Sequence, residues 1–195
     1  IRCVHESRLY DRNCFVTLTY DQAHLPESMS VNKREVQLFM KRLRKRYPQR
    51  IRFFACGEYG EKSGRPHYHA LLFNHDFEDK VLWKKLNDIP LYRSPSLEAL
   101  WPYGFASVGA VTFQSSAYVA RYILKKVTGD QSQQHYEHVC SKTGLISQRS
   151  PEFVLMSRRP GIAAGWFRRF RDDVFGPGGS GAPRDQVVMN GTAMR

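Results

Sequence analysis

The sequence predicts an α+β fold built on a mainly antiparallel sheet. Short segments rich in β-branched and aromatic residues are joined by hairpin-like turns, with helical patterns between them. The chain has 195 residues, enough for one domain with a substantial core. We predict this domain over residues 1–175, followed by a Gly/Pro-rich linker and tail over 176–195. Because the sequence starts at Ile1, we expect both ends to be trimmed.

Six segments are predicted to be strands because of their β-branched and aromatic content. They span residues 13–20, 51–58, 66–73, 105–113, 153–156 and, as the start of a further strand, 186–189. The glycine-rich segment 57–64 leads from the second strand into the third, which predicts that the third runs back antiparallel to the second. Residues 128–150, and the stretch punctuated by Pro90, Pro95 and Pro102, are expected to be mostly loop.

Four segments are predicted to be helices, spanning residues 31–47, 79–88, 115–127 and 161–175. The first carries apolar residues at helical spacing, namely Val36, Phe39, Met40, Leu43 and Tyr47. Ser30 is its expected N-cap, and Pro48 prevents its continuation. Ser115 or Ser116 is expected to cap the third helix.

Charge predicts a polyanionic partner. Lys and Arg number 30 against 18 Asp and Glu, for a net charge of +12. Nucleic acid is the first candidate and an anionic membrane surface the second. Since no apolar run reaches the ~20 residues that span a bilayer, we expect no membrane partner. The helix 31–47 has a basic face that is either solvated or one wall of a DNA groove. The residues assigned to DNA binding are Arg42, Lys45, Arg65, Arg121 and Lys126.

Cysteine spacing favours reduced thiols over a disulfide framework. The four cysteines are Cys3, Cys14, Cys56 and Cys140, with no C-x-x-C pair among them. His135, His138 and Cys140 form an H-x-x-H-x-C cluster. No second pair of ligands lies nearby in the sequence, so a zinc site there is not favoured.

A pair of histidines marks the predicted strand 66–73. Because side chains alternate along a strand, His67 and His69 point to the same face. Two imidazoles on one face can bind one divalent metal, although a bare H-x-H is also compatible with two half-exposed histidines. The third ligand is expected to be a carboxylate. Glu58 ends the preceding strand and is preferred, and Glu61 in the turn is the rival.

The helix 115–127 carries two tyrosines on its polar side. Plotted at ~100° per residue, its aliphatic residues cluster on the other side, which predicts a core stripe. That stripe comprises Val119, Ala120, Ile123, Leu124 and Val127. Tyr118 and Tyr122 lie one turn apart beside Arg121 and Lys125. A phenol can attack a phosphodiester once a metal or cation favours its phenolate. Since hydrolysis by water needs no tyrosine pair, the pair predicts strand transfer.

Four motifs together resemble those of HUH-type rolling-circle replication initiators, and most closely the initiators of gokushovirus-like Microviridae phages. They lie at residues 15–26, 57–69, 118–125 and 156–162, in the order typical of that family. The resemblance implies a central sheet of RRM-like topology with the histidines on it. It also implies an enzyme that nicks and rejoins single-stranded origin DNA through a covalent 5′-phosphotyrosine.

Residue by residue, the resemblance gives each motif a role. It matches His67 and His69 to the metal-binding pair and Glu58 to the acidic metal partner. Tyr118 and Tyr122 match the paired nucleophiles, and Lys125 matches a lysine three residues after the tyrosine in many single-tyrosine relatives. The implied cofactor is Mg²⁺ or Mn²⁺, and the implied setting is the cytoplasm of the bacterial host, with host helicase and replication proteins as further partners.

Two other functions remain open from the sequence. A transposase or relaxase of the same superfamily would use the same chemistry for another purpose. A non-catalytic single-strand binding module would instead stack bases on strand aromatics such as Phe53, Phe54 and Tyr68. The tyrosine pair on a polar helix face favours the enzyme, because a binding sheet needs its aromatics on strands.

Overall fold

The computed structural model describes residues 1–61, 63–139, 144–175, 187–189 and 192–194, without the side chains of 122–125, 174–175, 187–189 and 192–194. The strands are β1 Asn13–Tyr20, β2 Arg52–Tyr59, β3 Pro66–Phe73, β4 Val81–Leu86, β5 Ile89–Arg93, β6 Gly104–Gly109, β7 Glu137–Val139, β8 Ile146–Gln148, β9 Phe153–Met156, β10 Val187–Met189 and β11 Thr192–Met194. The helices are α1 Arg2–Ser7, α2 Lys33–Arg46, α3 Pro95–Leu100, α4 Phe113–Lys125, α5 Ser132–His135 and α6 Ala164–Phe175.

Seven strands form one antiparallel sheet in the order β4-β5-β6-β1-β3-β2-β9. Its centre is the trio β1, β3 and β2, in which Thr17 pairs with His69 and Glu58 pairs with His67. The predicted α+β class with a mainly antiparallel sheet is therefore confirmed, and the arrangement is consistent with an RRM-like HUH fold.

Helices cover both faces of the sheet, and alternation along the strands divides the core between them. On one face, α2 and α3 pack on residues such as Leu18, Tyr68 and Leu72. On the other face, α1 and α4 pack on Phe54, Leu71 and neighbouring side chains. Among the described residues, none of the helices combines the length and apolarity that a membrane span requires.

The strands predicted at 13–20, 66–73 and 153–156 are confirmed with these bounds, and the second strand is shifted by one residue. The segment 79–88 was predicted to be a helix, and this was wrong. It forms β4, which turns through Asn87 and Asp88 into β5, and both turn residues have positive φ angles, 47° and 63°. Such a two-residue turn suits the twist of a hairpin. The segment predicted to be loop around Pro90 and Pro95 contributes β5 and α3.

Helix boundaries also differ from the prediction. The cap of α2 is Asn32, whose side chain accepts from the Arg34 backbone N–H, so Ser30 is not the cap. The four predicted apolar residues Val36, Phe39, Met40 and Leu43 are all buried. The cap of α4 is Thr112, in a reciprocal capping box with Ser115. The linker predicted at 176–181 lies outside the described residues.

Candidate active site

Three predicted ligands meet where β2 and β3 pair. The Nε2 atoms of His67 and His69 lie 2.7 and 2.8 Å from Oε1 of Glu58. Ligand atoms of all three residues lie within 4.8 Å of one another, a spacing that one metal ion can bridge. Glu58 and His69 are 1% and 5% exposed. The structure thus brings Glu58 to the histidines. Glu61 is exposed in the turn and is not part of this group.

Contacts behind the histidines orient their Nε2 atoms toward Glu58. Nδ1 of His67 lies 3.1 Å from the backbone oxygen of Arg65, which can only accept, so Nδ1 carries the proton. Nδ1 of His69 lies 2.9 Å from the hydroxyl oxygen of Thr17. With Nδ1 as donor in both rings, each neutral imidazole presents its Nε2 lone pair to the centre. This arrangement is typical of metal-binding histidines.

The electrostatics of the cluster suit a cation. Burial raises the pKa of the Glu58 carboxyl, but hydrogen bonds to His67 and His69 outweigh it, and the net pKa lies below the usual value. Burial lowers the pKa of His69, against the opposing hydrogen bond to Glu58, which favours the neutral ring that a metal ligand requires. The second oxygen of Glu58, Oε2, is buried with no hydrogen-bond partner among the described residues. Two imidazole nitrogens and an ionised carboxylate therefore fit a divalent metal.

Tyr118 reaches this cluster from α4. Its hydroxyl donates to Oε1 of Glu58 at 3.1 Å, and its ring lies edge-on to His69 with centroids 5.1 Å apart. The residue is 38% exposed, so solvent or a ligand can reach the phenol. One predicted nucleophile is therefore beside the predicted metal ligands. Tyr122 follows one turn later on α4, and its side chain and that of Lys125 lie outside the described residues.

The packing of α4 differs in part from the prediction. Val119 is fully buried, as expected, but Ala120 is exposed, and its assignment to the core was wrong. The buried stripe runs through Ser116 and Val119, which are three residues apart. Ala120 is rotated ~100° from Val119 and points away from the sheet. Val127 is half-buried, and the side chains of 123 and 124 are not described.

The five residues assigned to DNA binding lie in different places. Arg121 and Lys126 are exposed on and just after α4. Arg65 donates to the backbone oxygens of residues 20 and 21 at 3.0 and 3.3 Å and so ties β1 to β3. Arg42 and Lys45 belong to α2, on the other face of the sheet, and Arg42 donates to the Leu100 oxygen at 2.8 Å. The structure does not bring Arg42 and Lys45 to the metal cluster.

An apolar groove beside the cluster was missed by the sequence reasoning. It encloses about 940 Å³ between α4 and the β4–β5 hairpin, and Thr17, His69 and Tyr118 line one end. Trp83 and Phe105 line it and are 52% and 58% exposed. The guanidinium of Arg93 lies 5.9 Å from each of these rings. A signal for Thr17 was present, because Thr17 and Thr19 are polar residues on the histidine face of a strand otherwise apolar.

Comparison with known proteins decides the family. Residues 13–127, more than half of the chain, match the family of replication-associated proteins described by ORF2 and the gene 2 protein. The chain belongs to this family. The match includes the metal cluster and the whole of α4.

Three phage relatives of this family member are informative. Replication-associated protein VP4 of Bdellovibrio phage phiMH2K is 32% identical over 188 residues, covering 91% of this chain and 55% of the relative. Replication-associated protein ORF4 of Chlamydia phage 1 is 33% identical over 65% of this chain and 34% of the relative. Replication-associated protein ORF2 of Spiroplasma virus 4 is 36% identical, covering 59% and 39%. The chain spans about half or less of each relative's length. No solved structure matches it.

Proposed function

We propose that this protein is a metal-dependent endonuclease of single-stranded DNA that nicks a phage replication origin through a covalent 5′-phosphotyrosine and so initiates rolling-circle replication. The observation that carries the proposal is the contact of the Tyr118 hydroxyl with the carboxylate shared by His67 and His69. A nucleophile beside a metal-binding triad is the minimum equipment for phosphodiester transfer. Membership of a replication-associated family supports the biological role.

Glu58, His67 and His69 would hold the metal. A mixed nitrogen and oxygen set suits Mn²⁺ at least as well as Mg²⁺, which prefers oxygen ligands. When bound, the ion supplies Lewis-acid polarisation of a phosphoryl oxygen. This is the cofactor we propose.

Tyr118 is oriented for attack by its hydrogen bond to Glu58. In the proposed step, its phenolic oxygen forms a bond to phosphorus and the bond from phosphorus to the 3′ oxygen breaks. The phenol proton ends on the released 3′ hydroxyl, and the 5′ phosphate stays on the tyrosine. The phosphotyrosine conserves the bond energy for rejoining. Tyr122, one turn further along α4, would attack the regenerated site after one round of synthesis, and Lys125 would lie beside the reacting phosphate.

The substrate strand would enter through the apolar groove. Exposed rings such as Trp83 and Phe105 offer stacking surfaces for unpaired bases, each worth about 1–3 kcal/mol. Arg93 between the rings adds a cation near the backbone. Arg121 and Lys126 would contact flanking phosphates. In this proposal residues 1–175 form the nicking domain, working in the cytoplasm of the bacterial host with a host helicase.

A covalent-adduct assay tests the proposal. The protein is incubated with candidate phage-origin oligonucleotides and Mn²⁺ and examined on a denaturing gel. We expect a protein–DNA adduct that EDTA abolishes and added Mn²⁺ restores. Tyr118→Phe and Tyr122→Phe should each leave some cleavage, because one tyrosine can nick alone, and the double variant should leave none.

A matched variant controls for loss of a phenol elsewhere. Tyr92→Phe removes a hydroxyl on the α2 face of the sheet and should leave adduct formation unchanged. An adduct formed by the Tyr118/Tyr122 double variant would place the nucleophile elsewhere. Tight binding of single strands without any adduct, with every metal and origin tried, would instead favour the non-catalytic binding module.

A further inference from the structure

A cleft rich in arginine lies at the opposite end of β2 from Glu58. It encloses about 500 Å³ where the C-terminal end of α2, the start of β2 and the segment after β9 meet. The lining residues are Arg44, Tyr47, Pro48, Gln49, Arg50, Ile51, Arg52, Ser157, Arg158 and Arg159. Half of them are arginines, and none is a carboxylate.

The arginine closest to the core has a structural role. Arg52 is buried and pairs with the buried Glu6, and it also donates to the backbone oxygens of Pro160 and Gly161 at 3.0 and 2.9 Å. This network fixes the segment after β9 against β2. Arg52 is neutralised by Glu6 and therefore builds the wall of the cleft without adding net charge.

The other four arginines are exposed, and none forms an ion pair with a carboxylate in the described part of the chain. Arg44 and Arg50 each donate one N–H to a backbone oxygen, of Ile51 and Arg159, both at 3.2 Å, which holds the guanidinium groups at the rim with donors remaining. Cations at the end of a helix are favoured by its dipole. That effect explains Arg44, but Arg50, Arg158 and Arg159 lie outside the helix.

We propose that this cleft binds the sugar-phosphate backbone of DNA at a distance from the nicking site. Clustered guanidinium groups repel one another, and a phosphate chain that accepts paired N–H donors relieves the repulsion. Glu58 lies six residues along β2, about 20 Å away at about 3.3 Å per residue. The cleft therefore serves DNA flanking the cleaved bond. It gives a role to the motif at 156–162, which the catalytic site does not use.

This inference rests on the proposed DNA substrate but not on cleavage, so its test is done in EDTA, where the two can fail separately. Binding of a fluorescein-labelled mixed-sequence duplex is measured by anisotropy over a range of salt. Replacing Arg158 and Arg159 together by Gln removes two phosphate contacts. We expect the slope of log K against log salt to become shallower by about 1.8, since each contact contributes about 0.9.

Two variants separate the site from general charge and from folding. Arg168→Gln with Arg169→Gln makes the same change of charge on the exposed side of α6 and should leave the slope near the wild-type value. Arg158→Lys with Arg159→Lys keeps the charge and should restore most of the slope. A slope that is unchanged in the Arg158/Arg159 Gln variant, or that falls equally in the α6 variant, overturns the proposal. Binding of tripolyphosphate lost in that Gln variant while its DNA slope is kept would assign the cleft to a free polyphosphate and also overturn it.

Discussion

At the scale of single residues, one oxygen atom organises the site. Oε1 of Glu58 is the common neighbour of both Nε2 atoms and of the Tyr118 hydroxyl. The histidines are oriented in turn by Thr17 and by the Arg65 backbone. These outer contacts fix the direction of each lone pair before any ligand arrives, so they contribute to affinity without touching the metal.

Thr17 provides a test of that positioning role. Thr17→Val keeps the shape of the side chain and removes the oxygen that holds Nδ1 of His69. Loss of such an outer contact typically costs about 10–100-fold in metal affinity. We therefore expect Mn²⁺ affinity, measured by calorimetry on the protein without DNA, to fall by about that factor.

The neighbouring threonine is the matched control. Thr19 lies two residues on, on the same strand face, and donates to the Phe105 backbone without contacting a histidine. Thr19→Val should bind Mn²⁺ like the wild type. Equal affinities for both variants would mean that Thr17 plays no part in orienting His69.

The ligands were predictable from the sequence, and their supports were not. Alternation on a strand placed His67 and His69 on one face, and the hairpin brought Glu58 alongside, so local rules were enough. Thr17 comes from a strand 52 residues away in sequence from His69, and only the pairing register of β1 with β3 brings them together. Single-sequence patterns carry no information on that register.

At the scale of elements, the hairpin of β4 and β5 shows where pattern reasoning failed. Six consecutive residues of β4 are exposed, so the strand lacks the alternation that marks a half-buried strand. The informative signal was the turn pair Asn87 and Asp88, residue types that tolerate positive φ. By contrast, β1 alternates between buried and half-buried residues along its length, and its bounds were predictable.

The junction of β6 with β1 depends on a glycine. Gly104 has φ +153°, and a Cβ there would lie 2.3 Å from the Asp21 nitrogen and 2.5 Å from the Thr19 oxygen. These are backbone atoms of the paired strand, which cannot move without opening the sheet. We expect Gly104→Ala to lower the free energy of unfolding by about 3 kcal/mol, near the upper end of typical overpacking costs, as measured by urea denaturation.

Gly161→Ala is the control for the loss of a glycine. A Cβ at Gly161 would have nothing within 4 Å. Its free energy of unfolding should stay within about 1 kcal/mol of the wild type. A Gly104 variant as stable as this control would show that the two strands separate easily at that point.

At the scale of the whole molecule, stability should depend on pH through a buried histidine. His75 is 1% exposed and packs against the rings of Tyr47 and Phe77, with centroids 4.4 and 4.7 Å away. Burial, assisted by the nearby Arg12 charge, lowers the pKa of His75 from 6.5 to about 4. Between these values the unfolded chain binds more protons than the folded protein.

The sign follows directly. The contribution of His75 is complete above pH 6.5 and is lost as the pH falls toward about 4. Each unit of pKa difference corresponds to about 1.4 kcal/mol. We expect the free energy of unfolding of the wild type to fall more steeply on acidification than that of His75→Phe, by about 1–2 kcal/mol between about pH 7 and pH 5. Parallel pH profiles of the two proteins would contradict this assignment.

The order of strands in the sheet has an evolutionary consequence. Glu58, Thr17 and both metal-site histidines lie on the three central strands β1, β3 and β2, whereas β4 and β9 form the edges. Insertions at the Asn87–Asp88 turn or beyond β9 would lengthen the edges without shifting the register of the central trio. Descendants of such a chain can acquire new recognition surfaces for other hosts while inheriting the same reaction centre.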